Sequence, residues 1–526
     1  MLLILLLLVA LCLAVYYYLF VPLTFWRQNE VKQKGFFACF LDSYFVFLKK
    51  KNIGYVVATW YKEFPNTRYS GIYQFGNPVL ILRDPDLIKQ IWIKDFEHFT
   101  DRRTYIPEDL DPLFGKSIFS LKGERWKNMR SIVSPTFTSS KMKYMFVLIK
   151  ECCDNFTNYF LKQGSHIQEV QFKDASGRFC TDVIASIAFG INLDSLDQKD
   201  NEFYAMVSRV SNLNKFSKLI RFMGFLLAPK LYRFLGLKLS DKEETSFFVN
   251  LVNDSIKQRE EKGIVRPDTI QLLLETRKNE KPEEDATTED TGFAAMEEVK
   301  IVREKLNIKL TDEDIQAQSF LFFFAGYESV STMMCCMAHE LAVNTDIQDR
   351  LRKEIVETDK NCSGKLTYDS LVRMKYLDMV TSEVLRKWPA QAGAERVCTK
   401  PYIIEPSTPE ETPLHLEKGH VVVIPTFGMH RDPDLFPNPD RFDPERFNDE
   451  NKHKIIPGSY TPFGMGPRGC IASRLAILET KIFFYSVLLR LKIVPVEKTC
   501  IPLKLTKSPA LIGVEDGCWL GLKRIE

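Results

Sequence analysis

Apolar positions in this chain follow three patterns. The first is an uninterrupted run from Leu2 to Trp26, "LLILLLLVALCLAVYYYLFVPLTFW", without a single charge. About 20 such residues span a bilayer, and the run exceeds the roughly 7–15-residue core of a cleaved signal peptide. Arg27, Lys32 and Lys34 follow at once. The pattern predicts an uncleaved anchor over 1–26 and, by the positive-inside rule, a cytosolic body over 27–526. A cleaved signal peptide is the competing reading.

The second pattern is short and strand-like. Residues 71–83, "GIYQFGNPVLILR", read as two strands around Gly76-Asn77-Pro78, and "HVVVIP" (420–425) as another. The third is helical spacing. "DPDLIKQIWIKDFEHF" (84–99) reads as a helix opened by an acidic, proline-containing turn, and helical periodicity dominates from about 124 to 275. Residues 279–291, "NEKPEEDATTEDT", form a polar, acidic connection, and 433–467 is proline-dense and irregular. The segment 213–237 mixes apolar residues with Lys and Arg and has no acid. It is either a pair of core-facing helices or a piece that dips into a membrane surface. The fold class expected is mainly α with small β-sheets (α+β), in one large domain.

The longest helix expected starts at Thr311, an N-cap followed by Asp312, Glu313 and Asp314, and runs to about Val343. At 1.5 Å per residue it measures roughly 50 Å and must cross the body. Asp314 and Glu328 bracket too short an apolar stretch for a second membrane span. Phe322, Ala325, Gly326, Ser329 and Met333 share one face. Ala325 and Gly326 leave a notch there, and Gly beside hydroxyl residues favours a local distortion. On these residues alone a tight helix crossing explains the pattern. A buried Glu328 and Ser329, however, are costly unless partnered or used.

Composition alters this little. The chain has 71 basic and 68 acidic side chains, net +3, which carries no nucleic-acid footprint. Its twelve cysteines are scattered without Cys-x-x-Cys, as buried hydrophobes in a reducing compartment would be. One differs. In "TPFGMGPRGCIASR" (461–474), Gly464, Gly466 and Gly469 precede Cys470 at the head of a strongly helical run. Permissive backbone angles, inward amides and a helix dipole favour a thiolate there. No histidine or second cysteine lies near enough for redox chemistry, nor three ligands for zinc. A thiolate alone suits haem iron.

These residues resemble the cytochrome P-450 superfamily. Phe463 to Cys470 matches its haem loop, Phe-x-x-Gly-x-Arg-x-Cys-x-Gly. The order of Trp126-x-x-x-Arg130, Ala325-Gly326-x-Glu328, Glu383-x-x-Arg386 and Pro444-Glu445-Arg446-Phe447 fits as well. The resemblance covers essentially the whole chain and is closest to microsomal members that oxidise lipophilic foreign compounds, the insect detoxification lines in particular. It implies Cys470 as the axial ligand of haem b (iron protoporphyrin IX), shielded by Phe463. It implies Arg102, Trp126, Arg130, Arg396 and Arg468 as propionate partners, and Glu383, Arg386 and Arg446 as a buried structural triad. Phe324, Ala325 and Gly326 would border the substrate pocket, with 102–118 and 508–513 as further walls. Glu328 and Ser329 would deliver protons to bound oxygen.

The implied activity is a monooxygenase placing one atom of O2 into a lipophilic small molecule. Its electrons come from NADPH through cytochrome P-450 reductase, with cytochrome b5 as a second donor, at the endoplasmic reticulum membrane. Lys127, Arg468 and Lys481 would offer an acidic partner a basic face. Three positions depart from the family: Ser329 replaces the usual Thr, Ala472 the usual Gly, and 27–64 lacks the proline-rich hinge. The rival readings are a haem-thiolate isomerase or lyase and a non-catalytic haem or ligand carrier on the same fold.

Overall fold

The computed structural model describes residues 21–526 apart from 104–105, 107, 212–215, 228, 239, 265, 267, 278–291, 297–309, 509–510 and 526. Most of the expected anchor and the acidic connection at 279–291 therefore lie outside the described residues. The end of the apolar run does not. Trp26 is 1% exposed, donates its indole N–H to Ile72 O at 2.9 Å, and covers Gly71 so closely that any Cβ there would overlap the ring. The boundary expected at residue 26 thus falls inside packed structure.

Helices make up most of the body: α1 (Phe36–Phe47), α2 (Ile53–Lys62), α3 (Gly123–Val133), α4 (Ser139–Lys162), α5 (Phe172–Ile184), α6 (Asp312–Val343), α7 (Thr345–Asn361), α8 (Lys375–Lys387) and α9 (Ser473–Arg490). The strands are β1 (Tyr69–Gln74), β2 (Asn77–Leu82), β3 (Ile167–Gln171), β4 (Ala394–Val397), β5 (Tyr402–Ile404), β6 (Leu414–Leu416), β7 (Val421–Ile424), β8 (Leu491–Val494) and β9 (Trp519–Arg524). They form sheets ordered β1-β2-β7-β4, β3-β9-β8 and β5-β6. The β1–β2 hairpin turns on Phe75 and Gly76, both at positive φ. Strand β2 lies parallel to β7, and its Val79 to Leu82 run is buried throughout.

Helix α6 is the central element. Thr311 and Asp314 close a capping box at its start, and it is continuous to Val343. The expected distortion is absent: the helix stays regular although Ser329 and Ser331 donate back to Ala325 O and Tyr327 O, at 2.7 and 2.6 Å. Among the described residues α6 is the one helix long and apolar enough to cross a membrane, and most of that window is buried.

Two stretches differ from expectation. Residues 84–99 are not one helix: Pro85–Lys89, capped by Asp84, widens into a π-turn at Gln90–Lys94 and ends in a 3-10 turn at Phe96–His98. The wide turn presses Trp92 O onto Gly466, where a Cβ would overlap it, so contact with the cysteine loop overrides helical spacing. Strand β3 interrupts the helical region and pairs with β9, at the far end of the chain. The segment 213–237 does contain two helices, Phe216–Leu227 and Pro229–Phe234. Leu219 and Phe225 are buried, whereas Leu231, Phe234, Leu235 and Leu237 are exposed.

Candidate functional site

The cysteine loop is a tight reversal. Cys470 N–H donates to Phe463 O at 2.9 Å, and Gly464 and Gly466 both take positive φ, at 77° and 67°. Gly469 does not; it is bare for another reason, since a side chain there would overlap Met296. Helix α9 begins at Ser473, so the sulfur sits just ahead of it. Burial pushes the Cys470 thiol up, while the Ala472 amide, Arg130 and Arg102 pull it down. The side chain nevertheless keeps exposed surface, unlike the other described cysteines, most of which are fully buried. A thiol dominated by burial yet still open lines an interior cleft.

Four guanidiniums converge around this loop. Arg102 donates to Arg468 O at 2.7 Å and Arg130 to Gly469 O at 2.9 Å. Arg468 bonds to Thr100 O and Leu121 O, and its guanidinium carbon lies 4.1 Å from the centre of the buried Trp126 ring. Arg396 lies over Trp92 at 5.4 Å. Burial, then repulsion from neighbouring arginines, pushes Arg396 and Arg468 down from their ordinary range. Arg468 Nη1 and Arg396 Nε are buried with no acceptor. Glu395, the nearest carboxylate to Arg396, is engaged by Arg103. Such a cluster calls for an anionic partner. Among the described residues no group of three or more His, Cys, Asp or Glu could hold a metal ion. Asp101, 3.6 Å from Arg468, is the one carboxylate paired with that residue among those described, against several guanidiniums; a lone accessible thiol beside such an excess of positive charge fits a metal that brings its own remaining ligands and carboxylates, which is the chemistry of haem.

Helix α6 supplies the opposite wall. Ala325 is exposed between buried Phe323 and Tyr327, so this turn opens onto a cleft. Phe324 meets Phe114, from the 102–118 wall, at 5.5 Å. Gly326 does a different job from the expected one: Ile184 of α5 fills the space of its missing side chain, with Cδ1 2.9 Å from where a Cβ would stand. The notch at Gly326 is a helix crossing, and Ala325 carries the opening. Phe322 packs on Phe137. Glu328 is partnered by Lys173 of α5. The lysine Nζ lies 3.2 Å from Glu328 Oε1 and donates to Ser331 Oγ and Thr332 Oγ1 at 2.6 and 3.0 Å. Burial lowers the Lys173 ammonium, but attraction to Glu328 and other neighbours outweighs it and the net shift is upward. Nothing in the spacing of "FKDASGRF" marks Lys173 in the sequence.

Glu383 and Arg386 are fully buried on α8. Arg386 Nε and Nη2 grip both carboxylate oxygens at 2.7 and 2.9 Å, and its other donors reach His430 O and Pro439 O. Arg446 Nε stands 3.5 Å from Glu383 Oε1. Sequence reasoning missed His430. It accepts from Thr461 N–H and meets Arg386 O at 3.0 Å through Nδ1, tying the buried pair to the start of the cysteine loop. Burial, then Arg386, pushes it down to about 3, so it stays neutral and Nδ1 donates. His430 ends the short helix Thr426–Met429, and nothing in its spacing marks it.

The expected basic face does not form as drawn. Arg468 and Lys481 are buried, Lys481 against Asp378, and Lys127 is engaged by Glu97 and Glu124.

Comparison with known proteins agrees with this geometry. A sequence model of the cytochrome P450 family matches residues 43–516. The chain is 43% identical to cytochrome P450 9e2 of Blattella germanica over 479 residues, 88% of this chain and 87% of that protein. It is 41% identical to probable cytochrome P450 9f2 of Drosophila melanogaster over 487 residues, 91% and 90% of the two chains. Cytochrome P450 6k1 of Blattella germanica is 33% identical over 517 residues, 98% and 95% of the two. With its open cysteine, its arginine cradle and these relatives, the chain belongs to the cytochrome P450 family and is a haem-thiolate monooxygenase.

Proposed function

We propose that the protein oxidises lipophilic small molecules at the endoplasmic reticulum membrane, with electrons that NADPH-cytochrome P450 reductase, or cytochrome b5 for the second, passes on. The observation that carries this reading is the accessible Cys470 thiol beside Arg396 and Arg468, each of which keeps a buried N–H with no acceptor.

Haem b, when bound, supplies the activation of O2 and the insertion of one oxygen atom into the substrate. Cys470 would hold the iron, with Phe463 beside it. Arg102, Arg130, Arg396 and Arg468 would bind the two propionates, and the Trp126 and Trp92 rings brace the guanidiniums that lie over them. Glu383, Arg386 and Arg446 hold α8 to the irregular stretch beneath the loop. Phe324 and Ala325 give an apolar wall, which selects for substrate without charge. On the same side Ser329 presents a hydroxyl whose oxygen can accept a hydrogen bond while it donates to Ala325 O, and Lys173 pairs with Glu328 one residue away. That ion pair favours oxygen chemistry over a peroxide rearrangement, which needs no proton relay.

Exposed Phe37, Phe40, Leu41 and Tyr44 line one face of α1 shortly after the apolar run. Together with Leu231, Phe234 and Leu235 they support seating on a membrane surface.

The test is the carbon monoxide difference spectrum of the reduced protein, repeated for Cys470→Ala. A thiolate-type band in the parent and its loss in the variant is the expected result. An unchanged band would sink the assignment. NADPH- and reductase-dependent product would then separate the monooxygenase from an isomerase or a carrier.

A further inference from the structure

The long connection between helix Thr269–Arg277 and α6 is described at Gly292–Met296, and there it is not loose. Gly292 adopts φ 128°, and a side chain on it would overlap Asp378 of α8. Phe293 N–H donates to Asp378 Oδ2 at 3.0 Å, while Lys481 of α9 holds Asp378 Oδ1 at 2.7 Å. The Phe293 ring packs on Phe447 and Tyr460, with centroids 5.2 and 5.6 Å away. Ala295 N–H closes a turn onto Gly292 O, and Ala294 is buried. Met296 then fills the bare side of Gly469, one residue before Cys470. The segment thus runs from Asp378 past Phe447 and Tyr460 to the cysteine loop, where Gly469 leaves room for the Met296 side chain.

Gly469 adjoins Cys470 in the chain, and Met296 covers it on this face. An electron donor served by Cys470 gains most by approaching there. We propose that Gly292–Met296 is a strap seated on the electron-donor surface, and that donor and strap compete for it. The inference rests on the reductase-dependent reading above.

Two observations favour competition over a shared platform. Phe293 and Met296 cover the very groups, Phe447, Tyr460 and Gly469, that a donor would use as an apolar seat. The strap is also flanked in sequence by Glu289-Asp290 and Glu297-Glu298. Exposed Lys375 and Lys452, which share Asp449, lie near the seat in sequence, three residues from Asp378 and five from Phe447. Two cations sharing one carboxylate leave a net positive charge, which suits a donor with an acidic face.

The test uses the full-length, haem-loaded protein in lipid nanodiscs with the flavoprotein reductase. Hydrogen exchange at 293–296 is expected to speed up when oxidised reductase is added, because the Phe293–Asp378 bond is lost. Slower or unchanged exchange would overturn the proposal. In the double variant Phe293→Ser, Met296→Ser, reduction at sub-saturating reductase is expected to rise severalfold, with the carbon monoxide band and substrate-induced spin shift unaltered. An unchanged or slower rate would also overturn it. A wild-type protein that takes no electrons from reductase, despite a thiolate band, would remove the donor reading itself and the strap with it.

Discussion

Lys173 does for Glu328 what no residue of the α6 motif does for itself. It supplies a counter-charge at 3.2 Å and two further hydrogen bonds to the same helix. In Lys173→Met the carboxylate loses its cation, and we expect a loss of about 1.5–3 kcal/mol in stability, the range for a charge-assisted bond, read by urea unfolding. The same variant should divert more NADPH into peroxide, and Lys173→Arg should restore part of the coupling. Arg396 makes the opposite case. It is held at a cost among like charges, so Arg396→Met should raise the melting temperature of the haem-free protein while lowering the haem-to-protein ratio after reconstitution. Both roles were hard to foresee for the same reason. The sequence marks Arg396 only by resemblance and Lys173 not at all, because a partner drawn from a distant helix leaves no local period.

At the scale of elements, the α8 pair is the clearest case of context changing value. On an exposed helix, Glu383 and Arg386 at i, i+3 would contribute tenths of a kcal/mol. Here both are fully buried and bidentate. Removing one partner, as in Glu383→Ala, should cost about 3–5 kcal/mol, measurable by chemical denaturation and by failure to retain haem. The capped start of α6 and the β1–β2 hairpin were legible because local chemistry specifies them: Thr311 with Asp314, and a glycine between apolar runs, although the turn falls at Phe75-Gly76 and Asn77-Pro78 already belong to β2. The 84–99 stretch was not, since its middle turn widens to meet Gly466. Strand β3 was not either; five residues of alternating burial inside helical surroundings reveal nothing until β9 arrives beside them.

For the whole molecule, pH dependence is set partly by a group outside the site. Glu479 of α9 is buried with Oε1 unpartnered; burial pushes it up to about 8, against a modest lowering by Cys180. A raised carboxyl binds more protons folded than unfolded, so its contribution is present below the unfolded value of 4.5 and is lost as pH rises towards 8. The melting temperature should therefore fall across that interval, and Glu479→Gln should flatten the fall. Most of the architecture was legible at this scale, namely one helical body with small sheets and a cysteine loop near its end. The arginine cradle and the strap were not, because both join segments distant in the chain, 366 positions apart for Arg102 and Arg468 and 85 for Phe293 and Asp378.

That long-range stitching bears on biosynthesis. Strand β9 ends at Arg524 and is the central strand of its sheet, flanked by β3 and β8. While the polypeptide is still emerging from the ribosome, Ile167–Gln171 has no edge to pair with. The nascent chain must wait for Trp519–Arg524, made about 350 positions later. Truncations that remove only Trp519–Arg524 should then be as harmful to maturation as much earlier ones.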